Sequence, residues 1–249
     1  MNILAFESST KLGSVALIQN GVCTFSRMST SQKSHSEVLH QFVFEILNEA
    51  QIKLSEIDCF ASGCGPGSFT GIRVSLNTAK AFSYSFEKPM VIVDSLENLA
   101  ELNFGLVPDQ NTSTNVRGAK ILCLINAYKN MSYYAIYDLG LDGQTKVVHL
   151  PSAIPMKDIK TLLDVPLVTV GDGFLTYEKF LPENIRSKML RPIGVIDDPT
   201  AESLGLIAHK KIQQGLTLDW KSTKPLYIRS SEAEETKRGI VWSPLDFKE

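Results

Sequence analysis

The chain has 249 residues, 43% of them hydrophobic, and a formal net charge of −2. Such a length suits one large domain or two small ones, with enough apolar content for a packed core. The densest basic stretches are pairs, Lys210-Lys211 and Lys237-Arg238, so strong binding of nucleic acid by this chain alone is not expected.

The opening reads as a three-stranded meander. Asn2 to Phe6 is a buried strand ending at Glu7. Ser8-Ser9-Thr10-Lys11-Leu12-Gly13 is a polar turn, Ser14 to Gln19 a second strand, and Val22 to Met28 a third. Asn20-Gly21 between them is a type I′ hairpin signal. A helix follows from about Ser36 to Gln51, with Leu39, Phe42, Val43, Ile46, Leu47 and Ala50 at helical spacing. Val38 and Phe44 fall away from the centre of that stripe, which leaves apolar surface for a domain neighbour or a partner chain. His35 and His40 lie five apart and do not stack on one helical face.

Ile57 to Ala61 reads as a strand feeding the stretch Gly63-Cys64-Gly65-Pro66-Gly67-Ser68. Three glycines and a proline in five residues demand a tight, backbone-exposed turn. Ser68 and Thr70 stand where a helix needs its N-cap. The next helix runs from about Phe69 to Phe86, with Phe69, Ile72, Leu76, Ala79, Phe82 and Phe86 on one face. Two readings of the turn stay open: an anion site at a helix N-terminus, or glycines needed only for close strand-to-helix packing. Pro89 to Val93 is a strand and Ser95 to Leu102 a short helix.

Residues 103–119 are rich in Asn, Thr, Ser, Gly and Pro and read as a linker or mobile loop. The opening pattern then recurs: apolar Ile121 to Ile125 ends at Asn126, a polar turn runs to Asn130, and a strand runs from Ser132 to Tyr137. Gly140 to Gly143 is a hairpin turn before a strand from Lys146 to Leu150. Glu7 and Asn126 hold equivalent places, so the chain carries either a weak internal repeat or two unrelated hairpins. Further on, Lys157 to Leu163 reads as a short helix and Leu167 to Val170 as a strand entering the turn Gly171-Asp172-Gly173. Leu175 to Leu181 and Thr200 to Gln214 are helices, and Pro225 to Arg229 is an extended piece. The four cysteines (Cys23, Cys59, Cys64, Cys123) lack metal-site spacing. Three lie in apolar runs; Cys64 could be exposed in its turn, but nothing supplies it with a base. No basic leader or uncharged stretch near the roughly 20 residues of a bilayer span is present, so a reducing cytoplasm is the expected location.

Meanders alternating with helices in two similar halves suggest the actin/sugar-kinase/Hsp70-like (ASKHA) architecture, an α/β fold of two related lobes with the second reduced. The expected lobes are 1–104 and 119–229, followed by an exposed tail, 230–249. GCGPGSFTGIRV, the opening ILAFESSTKLGSVAL and the late PLYIR resemble the bacterial TsaB (YeaZ) proteins. The resemblance implies a partner protein in making N6-threonylcarbamoyladenosine at position 37 of tRNA. In that family the catalytic paralogue, TsaD, holds a metal through two histidines one helical turn apart. This chain has Ser95 and Leu99 at those places, which implies a non-catalytic subunit with no metal site of its own. No His-Glu-His cluster or Ser/His/Asp set supports a peptidase.

The resemblance further implies pairing with TsaD, or with a second copy when TsaD is absent, and recruitment of the ATPase TsaE. tRNA would be engaged only through that complex, away from any membrane. The pairing surface is expected on the two helices. Leu39, Phe42, Val43 and Ile46 carry it on the first, and Ser68, Phe69, Thr70, Ile72, Arg73, Leu76, Ala79 and Phe82 on the second. In working members of the fold, acidic strand ends orient Mg²⁺ while turn hydroxyls and N–H groups hold phosphate. Glu7, Ser8, Ser9, Thr10, Gly65 and Gly67 are the residues that would take ATP or ADP with Mg²⁺. Glu7 and Asn126 stand where the family usually has Asp, and Tyr128 where it usually has Arg. No cofactor is required for the subunit role. The alternative is a stand-alone enzyme that binds or hydrolyses nucleotide at Glu7.

Overall fold

The opening apolar runs are continuous rather than alternating, which marks strands buried on both faces. In the computed structural model, which describes residues 1–29, 35–104, 120–139, 145–230, 237, 245 and 247, that is their environment. The chain divides into two compact units, Met1–Asn98 with Pro199–Leu226, and Leu99–Asp198 with Tyr227–Glu249.

The first unit is built on a five-stranded sheet of order β3-β2-β1-β4-β5. Its strands are β1 (Asn2–Glu7), β2 (Ser14–Gln19), β3 (Val22–Met28), β4 (Cys59–Gly63) and β5 (Met90–Val93). β1, β2 and β3 are antiparallel, and β1, β4 and β5 are parallel. Asn20 and Gly21 both take positive φ in the β2–β3 hairpin, as a type I′ turn requires. Leu4 and Phe6 of β1 face one side of the sheet. There they meet Leu39, Val43 and Ile46 of helix α1 (His35–Ala50) and Leu76 and Ala79 of α2 (Phe69–Phe86). Ile3 and Ala5 face the other side and meet Ala201, Leu204 and Ala208 of a helix at Ala201–Gln213.

That last helix corrects the expected lobes of 1–104 and 119–229. It lies far along the chain yet belongs to the first unit, because its apolar stripe covers a sheet face that would otherwise meet water. Gly205 brings it close: a Cβ there would lie 2.4 Å from Ile18 Cγ1. Its N-cap is Thr200, whose Oγ1 accepts from Ser203 N.

The second unit repeats the plan. Its sheet has the order β10-β9-β6-β7-β8, from β6 (Lys120–Asn126), β7 (Met131–Leu139), β8 (Thr145–Pro155), β9 (Leu167–Val170) and β10 (Met189–Leu190). β6, β7 and β8 form the antiparallel meander, and β6, β9 and β10 are parallel. The repeat therefore stands, and Glu7 and Asn126 each end the central strand of their sheet. Helix α3 (Ser95–Asn103) spans the change from first unit to second, and α4 (Asp172–Tyr177), α5 (Glu183–Arg186) and a 3-10 helix at Met156–Leu162 complete the second; the helix at Ala201–Gln213 is α6. The expected turn at 171–173 is in fact the start of α4, since Phe174 N already donates to Gly171 O. The expected helix at 175–181 is only its remainder plus one 3-10 turn. The tail at 230–249 is not exposed throughout: Leu245 and Phe247 are half-buried against the second unit's core. Of the linker expected at 103–119, Asn103 instead ends α3, and residues 105–119, like the hairpin turn at 140–143, lie outside the described residues.

Candidate functional site

Ligands of open α/β sheets gather beyond the carboxyl ends of parallel strands. In the first unit β1, β4 and β5 end at Glu7, Gly63 and Val93. The hydroxyl turn, the glycine turn and Asp94 therefore share one edge of the sheet.

Glu7 is fully buried. Ser9 N donates to its Oε1 at 2.7 Å and Asn98 Nδ2 to its Oε2 at 3.4 Å. Burial pushes its carboxyl pKa up, and the hydrogen bonds from Ser9 and Asn98 only oppose that rise. The carboxyl lies flat against Gly63, where a Cβ would come within 2.3 Å of Oε2. Ser8 Oγ donates to Gly71 O at 2.8 Å, and Ser68 N donates to Ser9 O at 2.6 Å. A Cβ at Gly67 would sit 2.2 Å from Ser9 O, and one at Gly71 only 1.8 Å from Ser8 O. The hydroxyl turn is thus pressed directly onto the glycine turn and the first turn of α2.

This geometry supports the close-packing reading of the turn. Ser68 caps α2, with its Oγ accepting from Gly71 N at 3.2 Å. Gly65 O accepts from Ser95 N, and Cys64 O from Leu226 N. The glycines let backbone meet backbone, and the Ser68 and Gly71 N–H groups are engaged inside the protein. Glu7, Ser8, Ser9, Gly65 and Gly67 are all taken up in contacts within the chain. Thr10 Oγ1, Ser9 Oγ, Ser95 Oγ and Asn98 Oδ1 are buried without a hydrogen-bond partner among the described residues, but they bring no charge to a metal. Among the described residues no three His, Cys, Asp or Glu side chains form a metal-binding group.

Asp94 and Asn98 are structural residues that the chain reading passed over. Asp94 Oδ1 accepts from Leu96 N at 2.7 Å and Glu97 N at 3.3 Å, capping α3. Burial raises its pKa to about 7, against those same hydrogen bonds. The signal was legible: Asp94-Ser95-Leu96-Glu97 has the spacing of a capping box. Cys64 is buried rather than exposed, and burial, with the Asp94 and Glu7 charges, pushes its thiol to about 12.

The expected pairing surface needs correction. Leu39, Val43, Ile46, Ile72, Leu76 and Ala79 are all buried within the chain, most of them in the core beneath α1 and α2. Phe42 and Phe82 are half-buried against the same core. Gly71, Ser75 and Ser83 of α2 are likewise buried inward. An apolar stripe is the same whether it meets its own sheet or another chain. The outward faces carry Phe44, 68% exposed, and Tyr84, 66% exposed, with Thr70 and Arg73 also outside. Arg73 lies 3.9 Å over the Phe69 ring.

At the matching place in the second unit, Asn126 Oδ1 accepts from Tyr128 N and Tyr177 Oη, and Asp172 Oδ1 accepts from Asn126 N. Tyr128, Lys129 and Asn130 all have positive φ. For L-residues this costs roughly 1–2 kcal/mol each.

A family model described as "TsaD: tRNA N6-adenosine threonylcarbamoyltransferase" matches residues 27–237. The tRNA threonylcarbamoyladenosine biosynthesis protein TsaB of Escherichia coli (strain K12) is 26% identical over 254 residues, the whole of both chains. TsaB of Bacillus subtilis (strain 168) is 30% identical over 237 residues, 94% of this chain and 96% of that one. The solved structure "YeaZ from Pseudomonas aeruginosa" shares the fold, with a TM-score of 0.74 at 24% identity over 91% of this chain and 99% of that one. With its two sheets of one topology and these matches along nearly its whole length, the chain belongs to the TsaB (YeaZ) family and has its actin/sugar-kinase/Hsp70-like fold.

Proposed function

We propose that the chain serves tRNA threonylcarbamoyladenosine biosynthesis as a subunit without a catalytic centre of its own. It pairs with a catalytic TsaD-type paralogue in the cytoplasm, helps recruit the ATPase TsaE, and pairs with itself when alone. One observation carries this reading. The relatives matched over their full length are named for this pathway, yet the strand-end site is closed by the chain's own backbone at Gly67 and Gly71. The stand-alone nucleotide enzyme loses support for the same reason, since Glu7 is fully buried and its carboxyl accepts from Ser9 N and Asn98 Nδ2.

The pairing surface is the outward side of α1 and α2, around Phe44, Phe69, Arg73 and Tyr84. Exposed aromatic rings and an arginine are the usual anchors of such contacts, and a stable interface buries roughly 1,200–2,000 Å² in total. The test is reconstitution. Modified nucleoside in tRNA is measured with the catalytic paralogue alone and with this chain added. The chain should restore modification; a paralogue equally active without it overturns the proposal. Calorimetry with ATP and Mg²⁺ should register no binding to the chain alone.

A further inference from the structure

The sequence holds no basic block, yet the second unit gathers cations from three distant segments around one turn. Arg229 Nη1 donates to Ala127 O at 2.5 Å. Met156 N donates to Asn130 O at 2.8 Å, which sets Lys157 beside the same turn. Lys129 lies in the turn itself, and Tyr128 holds its side chain 62% exposed there. The turn is pinned at both ends: Met131 N donates to Tyr128 O and Ala127 N to Met131 O. The carboxylates nearest along these segments are Asp172, which accepts from Asn126 N and acts with Arg229 on the Tyr177 hydroxyl, and Asp158, next to Lys157.

We propose that this turn, with Lys157 and Arg229, is an RNA-contacting surface of the chain itself. Tyr128 offers a ring on which an unpaired base stacks, and Lys129, Lys157 and Arg229 flank it for phosphates. An exposed ring beside cations is how single-stranded RNA is held. A free nucleotide instead needs a concave site that encloses it, and Tyr128 stands out from the surface. Three cations give a salt exponent near −2, so affinity falls roughly twenty-fold between 50 and 200 mM salt. Such a surface adds to a complex rather than gripping RNA alone. The proposal rests on the tRNA-modification reading above for the identity of the RNA.

The experiment titrates labelled, unmodified tRNA with the full chain bound to its TsaD-type partner and follows fluorescence anisotropy from 50 to 200 mM KCl. Light scattering monitors the complex. Tyr128→Asn, which suits a left-handed backbone but lacks the ring, should weaken binding about ten-fold, and Tyr128→Phe should restore it. Lys129→Gln with Lys157→Gln should flatten the salt exponent by about 1.4. Variants that bind tRNA like the parent, in intact complexes, overturn the proposal. So does AMP binding with the same dependence on Tyr128. Intact modification activity with unchanged tRNA affinity in the variants sinks this surface and leaves the subunit role standing. Weakened tRNA binding in a complex that needs no help from this chain for modification does the reverse.

Discussion

Gly71→Ala tests whether the glycine turn exists to bring backbone onto backbone. In an ordinary helix this change stabilises by ~1 kcal/mol. Here the new Cβ would lie 1.8 Å from Ser8 O and 3.0 Å from Ser8 C. Neither side yields easily, because Ser8 Oγ is bonded to Gly71 O and Ser68 N to Ser9 O. Relief requires the start of α2 to move away from β1 by more than an ångström, breaking one or both bonds. Overpacking costs ~1–3 kcal/mol and each lost hydrogen bond ~1 kcal/mol, which outweighs the helical gain. The expected net loss is ~1–4 kcal/mol, or a fall in Tm of roughly 2–16 °C for a chain of this size. Gly215→Ala is the control: its φ is +75° and nothing lies within 4 Å of the added carbon, so it loses only ~1 kcal/mol. The two units need not unfold together. Trp220, packed beside the core under α2, should therefore be followed by fluorescence in a Trp242→Phe background during thermal and urea unfolding. A Gly71→Ala chain as stable as the parent, or a Gly215→Ala chain equally damaged, refutes the reasoning.

Asp94→Asn keeps the acceptor that caps α3 and removes the charge. A carboxyl raised from 3.8 to about 7 favours the fold while protonated, and that stability is lost as pH rises from near 4 through 7, by at most ~4 kcal/mol. The variant should match the parent in urea titrations at pH 4 and exceed it at pH 8; parallel pH profiles would exclude a protonated Asp94 in the fold. Phe44→Glu should leave the circular dichroism and Tm of the chain unchanged and weaken binding to the catalytic paralogue at least ten-fold, as loss of an aromatic anchor does. Leu76→Glu should instead unfold the first unit, because it places a charge among Leu4, Phe6 and Phe60. A well-folded Leu76→Glu chain with lost partner affinity would return the interface to the inner face.

The parts of the fold legible in the sequence are those set by local chemistry. Asn20-Gly21 fixed the β2–β3 hairpin, and β2 and β3 have the expected bounds. Ser68 caps a helix that runs from Phe69 to Phe86 as expected. The repeat was readable because strand, polar turn and strand recur in order, and both sheets have the same topology. α5 and β10, of four and two residues, are too short to carry a period. β4 begins at Cys59 rather than Ile57, because Ile57 closes a 3-10 turn at Leu54–Glu56. What the sequence withheld is which surface meets which. A stripe on α1 has the same spacing over its own sheet as against another chain, and α6 joins the first unit only through packing on Ala5 and Ile18. The glycine turn was ambiguous for the same reason. Glycines serve an anion and a close backbone equally, and only the positions of Ser8 O and Ser9 O separate the two.

The two units also answer one another at the residue that ends the central strand. In the first, Glu7 Oε1 accepts from Ser9 N, two residues on. In the second, Asn126 Oδ1 accepts from Tyr128 N, also two residues on. In each case a polar side chain at a strand end folds back to fasten its own turn. Burial raises the carboxyl pKa of Glu7, and Asn126 carries no charge. The two units share one frame of parallel strand ends, and each uses the side chain at the end of its central strand to hold its own turn in shape. The loops then present what lies beyond them: α2 with its outward rings on one unit, and Tyr128 with its cations on the other. Hence a strand-end change such as Glu7→Ala should register first as lost stability. An Asn126→Ala change, which removes the acceptor for Tyr128 N and Tyr177 Oη, should loosen the turn that carries Tyr128.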